Sequence, residues 1–165
     1  MHIPTPGTLD HPDKVQAILG IRHKIPHAGA VYAAELLFNY QLTCPRLLEF
    51  NRTIFVLSDP RRALPRLVES GMYDEESATR NYTFRMRRLA EMAKRAAHGV
   101  VVTESDLESA EGISLVTGFL RLRAAMPPIR VEHPSCDVSP ALLRWAVESY
   151  ERHLFYIRGA LKGVV

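Results

Sequence analysis

Apolar side chains recur along most of this chain at intervals of three and four, the spacing that places them on one face of an α-helix. Near the end, Leu143, Val147, Tyr150, Leu154, Ile157 and Leu161 alternate four and three without a miss. Tyr82, Met86, Leu89, Ala93 and Ala97 share one arc of a helical wheel. Leu47, Phe50, Ile54 and Leu57 form a third stripe, in "CPRLLEFNRTIFVL". Residues that start or stop helices frame these stripes. Asp10 to Pro12 opens a helix that Pro26 ends, and "AVYAAELLFNYQ" (30–41) is rich in helix formers. Thr43 caps the next helix, with Pro45 in its first turn. Ser58–Asp59–Pro60 is a further cap-and-proline start.

Gly71 suits a C-terminal cap, and Asp74 to Glu76 put acid at the start of a helix expected to run to Ala97, where Gly99 stops it. Thr103 and Asp106 make an approximate capping box for a helix over 104–126, in which Gly112 and Gly118 mark close packing or a bend. Ser139 or Pro140 opens the last helix, to about Leu161. The pattern predicts an all-α bundle of about six helices over residues 12–165, after an irregular N-terminal arm over 1–11. The competing reading makes 53–57, 100–102 and 129–132 short strands between helices, because Thr, Ile, Phe and Val favour strands.

With 165 residues, 47% of them hydrophobic, the chain can bury a core without disulfides or metal. Two cysteines, Cys44 and Cys136, supply neither a metal framework nor a disulfide scaffold. No basic-then-apolar leader and no run of eighteen apolar residues occurs, so the expected location is cytoplasmic. Net charge is only +3, yet seventeen of the twenty-one basic side chains are Arg, which contacts phosphate and carboxylate bidentately.

Where that charge sits matters more than its sum. In "TRNYTFRMRRLAEMAKRAAH" (79–98), Arg80, Arg85, Arg87, Arg88, Lys94 and Arg95 face one acid, Glu91. Arg80, Arg87, Arg88, Lys94, Arg95 and His98 fall opposite the apolar arc, and Phe84 lies among them. A cationic face with an interleaved aromatic suits nucleic acid through phosphate contacts and base stacking. It also suits an acidic protein partner. The bland alternative is a helical hairpin in which "ESDLESAE" (104–111) neutralises the patch.

A helix-turn-helix is a further candidate. The helix ending near Tyr40 and the one beginning near Thr43 are joined by a short turn. The second would present Arg46, Asn51 and Arg52 to base edges, as Arg reads guanine and Asn adenine. In the last helix, Trp145, Arg152 and Tyr156 lie together opposite the apolar stripe. These residue types dominate protein–protein hot spots, which makes helix 141–161 a candidate partner or homo-oligomer interface.

No HExxH, CxxC, EF-hand loop, GxxxxGK[ST], GxGxxG or GxSxG occurs. No cofactor, metal or membrane is expected, and no catalytic residue is assigned. The sequence favours a non-enzymatic helical regulator that binds nucleic acid through its Arg-rich helix. The alternative is a helical adaptor, or a subunit of a multiprotein complex, with an acidic protein partner.

Overall fold

The computed structural model describes Leu48 and residues 52–121, 127–130 and 137–161, which lie in one compact unit, Leu48–Val165. Five helices and two strands follow in order: β1 (Arg52–Leu57), α1 (Pro60–Glu69), α2 (Glu75–Ala93), β2 (His98–Thr103), α3 (Glu104–Leu107), α4 (Ala110–Leu120) and α5 (Pro140–Leu161). The described residues are mostly helical with one small two-stranded parallel sheet, as the mixed reading allowed, and they do not confirm the six-helix bundle the apolar spacing predicted.

The sheet corrects the reading of 52–57. Phe55 and Leu57 are buried while Val56 between them is exposed, a period of two. The helical stripe through Ile54 and Leu57 therefore does not exist as a helix. β-branched residues here meet a matching apolar run. β1 pairs β2 in parallel, with Ile54 opposite Val100, Phe55 opposite Val101 and Val56 opposite Val102. Parallel neighbours need a long crossover, and α1 and α2 supply it. The strands expected at 53–57 and 100–102 are thus present, each longer than expected. Ile129 and Arg130 are irregular, with the Ile129 N–H donating to the Leu107 carbonyl, and the rest of the expected 129–132 strand lies outside the described residues. So do the arm at 1–11 and the helices expected between 12 and 46.

Helix starts follow local chemistry closely. Asp59 caps α1 by accepting from the Arg61 N–H, with Pro60 at the first position. Asp74 caps α2 by accepting from the Ser77 N–H at 2.7 Å. Thr103 and Asp106 form the full reciprocal capping box of α3. Gly71 takes φ +71°, the left-handed turn a glycine allows after α1.

Helix ends depart further. α2 stops at Ala93, four residues short of the expected Ala97, because the chain must turn into β2. The helix expected over 104–126 breaks after Leu107, and Ser109 caps a new one by accepting from the Gly112 N–H at 3.0 Å. Gly112 allows this: a Cβ there would stand 2.0 Å from the Asp106 carbonyl oxygen. Gly118 has nothing within 4 Å of such a Cβ, so it marks no close packing among the described residues.

α2 packs on α5 and α1, and α5 also reaches α1 and β2. Their common core holds Leu64, Tyr82, Met86, Ala90, Val102, Ala146 and Ile157, all buried.

Candidate nucleic-acid interface

The inner face of α2 sets the orientation of its outer face. Ala78, Thr79, Tyr82, Met86, Ala90 and Ala93 are buried. The Tyr82 hydroxyl donates to the Ser58 carbonyl at 2.7 Å, pinning the helix to the end of β1. Burial, with the charges of Asp59 and Glu104 adding to it, pushes the Tyr82 phenol well above its ordinary range, so the group stays a neutral donor. Two hydroxyls donate back along the helix, Thr79 to the Glu75 carbonyl and Thr83 to the Thr79 carbonyl.

With the helix so fixed, the outer arc faces solvent. Phe84 is 41% exposed, unusual for a phenylalanine on a helix with a well-filled inner face. Two guanidinium groups lie over its ring, Arg88 at 5.0 Å and Arg87 at 5.7 Å from the centroid. Such cation–π contacts hold the arginines beside the ring without neutralising them. No carboxylate among the described residues forms an ion pair with Arg87 or Arg88.

The flanks differ. Arg80 pairs with Glu76 at 3.3 Å and Lys94 with Glu91 at 3.1 Å, both exposed pairs of the kind that contribute little. Arg85 is half-buried at the border of the arc. Lys94 caps the helix, and Arg95 and His98 lie beyond it, exposed, on the turn and on the first residue of β2.

The expected neutralising hairpin is absent. Three of the four acids of 104–111 serve other partners: Glu104 takes Arg66 at 2.6 Å and the Ser58 hydroxyl at 2.8 Å, Glu108 takes Arg62 at 3.1 Å, and Asp106 closes the α3 cap. They tie α3 to α1, which leaves the α2 arc cationic.

Of the helix-turn-helix residues, Arg52 does not join this face. Arg46 and Asn51 lie outside the described residues. Arg52 is on a strand, not a recognition helix. Its guanidinium donates to the Phe119 carbonyl and lies 5.6 Å from the centroid of that ring, so its side chain is committed to α4. Trp145, Arg152 and Tyr156 are all exposed on α5, as the wheel predicted, and Phe155 beside them is 75% exposed.

The polar network at the carboxyl ends of the two strands was missed. Ser58, Glu104, Arg62, Arg66 and Tyr82 meet there, and Glu104 is buried. A signal for it exists in the parallel phrasing of "FVLSDP" and "VVVTES": each apolar run ends in a hydroxyl and an acid, as a strand running into a helix cap does. Among the described residues, no helix is long and apolar enough to cross a membrane, and no three His, Cys, Asp or Glu side chains gather as metal ligands. No family model, curated protein or solved structure matches the chain.

Proposed function

We propose that the protein binds nucleic acid through the outer face of α2, and that single strands are its preferred form. The reading is that of a non-catalytic cytoplasmic regulator. One observation carries it: an exposed Phe84 flanked by Arg87 and Arg88, while Glu104 and Glu108 pair with Arg66 and Arg62 instead. An exposed ring offers a stacking platform for an unpaired base, and the guanidinium groups beside it suit the flanking phosphates. A duplex would not present a base face to this ring, which is why the single strand is preferred.

The test is fluorescence anisotropy of labelled single-stranded RNA and DNA, with a duplex control. With three or four phosphates contacted, log K should fall against log salt with a slope of about −2 to −3. Phe84→Ala should weaken binding by about tenfold, corresponding to about 1–3 kcal/mol for a lost stacking contact. Arg87→Glu with Arg88→Glu should abolish it. If no oligonucleotide binds at low salt, the proposal fails, and an acidic protein segment becomes the partner to test on the same face.

A further inference from the structure

The solvent face of α5 is self-complementary. Ala141, Trp145, Glu148, Arg152, Phe155 and Gly159 are all exposed. Their spacing alternates four and three, so they form one continuous stripe on the side opposite Leu143, Val147, Tyr150, Leu154, Ile157 and Leu161. Read from either end, the stripe has one order: small, aromatic, charged, charged, aromatic, small. Its centre is Tyr150.

We infer that two copies of this chain associate through α5, antiparallel, about a two-fold axis at the level of Tyr150. In this register the six positions of the stripe meet their complements. Glu148 faces Arg152 of the second copy, and Arg152 faces Glu148. Trp145 faces Phe155 in two symmetric layers, and Ala141 faces Gly159 at the ends. A two-fold interface needs this property, since residue i of one copy must suit residue j of the other in both directions. A parallel pairing would oppose Glu148 to Glu148 and Arg152 to Arg152, so the charges of the stripe favour the antiparallel arrangement.

Two observations point outward from the fold. Trp145 is 47%, Phe155 75% and Tyr156 55% exposed, so three large aromatics lie in solvent along one helix. A methyl group added at Gly159 would meet nothing within 4 Å among the described residues. The helix thus carries a residue that weakens it while its own neighbours leave room for a side chain. A second helix packed along the stripe would find room beside this glycine.

Sedimentation velocity on the full chain, over about 1 to 100 μM, reads the association directly. We expect a reversible monomer–dimer equilibrium. Glu148→Arg alone and Arg152→Glu alone should each weaken it by about tenfold or more, since each places like charges together in two layers. The double swap, Glu148→Arg with Arg152→Glu, should restore it to within about threefold. These side chains are exposed, and circular dichroism melts at a concentration where the chain is monomeric should be unchanged in all three variants. A monomer at every concentration overturns the inference. So does a dimer indifferent to the single swaps, or one that the double swap fails to rescue. Oligonucleotide binding through α2 is measured separately and does not depend on the outcome.

Discussion

At the scale of single residues, exposure separates a binding role from a packing role. Phe84 is the clearest case, because a half-exposed ring has little burial to lose. Phe84→Ala should change unfolding free energy by no more than about 0.5 kcal/mol in a thermal melt while removing most oligonucleotide affinity. A melting temperature that drops by many degrees would place Phe84 in the core instead. Tyr82 is the opposite case, buried and titratable. Its phenol ionises near its ordinary value of 10.0 in the unfolded chain but is held above that in the folded one, chiefly by burial. Its contribution to stability is therefore complete below pH 10.0 and declines as pH rises from there toward the folded value. Urea midpoints measured between about pH 8 and pH 11 should fall less steeply for Tyr82→Phe than for the unaltered chain. Some slope should remain, because burial also raises the Tyr150 phenol. The variant should start about 1 kcal/mol lower, having lost the hydrogen bond to the Ser58 carbonyl.

At the scale of elements, two glycines on one helix should respond with opposite sign. Gly112→Ala sets a methyl against the Asp106 carbonyl oxygen, at 2.0 Å in the present backbone, and backbone must move to admit it. The expected cost is about 1–3 kcal/mol by chemical denaturation, with the junction of α3 and α4 disturbed. Gly118→Ala meets nothing within 4 Å and should stabilise α4 by about 0.5–1 kcal/mol. Equal effects from the two would mean that the α3–α4 junction is not as tight as its geometry indicates. The element boundaries show the same division. Starts at Asp59, Asp74 and Thr103 were legible because a cap acts within one turn of its own chain. The ends of α2 and α3 were not, since Ala93 and Leu107 continue good helical patterns, and only the path of the next element stops them.

At the scale of the molecule, the carboxyl end of the sheet is held by one buried acid. Glu104 links the Ser58 hydroxyl and Arg66, with Arg62 at 4.0 Å, and so joins β1, α1 and α3. Glu104→Ala should lower stability by about 3 kcal/mol, at the modest end for a buried pair because Arg66 is one-third exposed. A near-neutral result in a urea titration would show that the network is not what fixes α1 against α3. The cationic arc of α2, the caps and both faces of α5 were determined by the sequence itself, since each rests on spacing within a few turns of one helix. The strand at 52–57 was not, because six residues span too few periods to separate helix from strand, and its partner lies forty-six positions away in the register Arg52 to His98. Nor were the partners of Glu104 and Glu108. Those acids stood as near in sequence to the basic helix as to anything else. Only the crossover from β1 to β2 set Arg62 and Arg66 beside them, and that choice left Arg87 and Arg88 without a neutralising carboxylate among the described residues. Local hydrogen bonds and helical spacing act over a few residues and can be read along the chain, whereas charge pairing acts through space and waits for the fold to decide which groups meet.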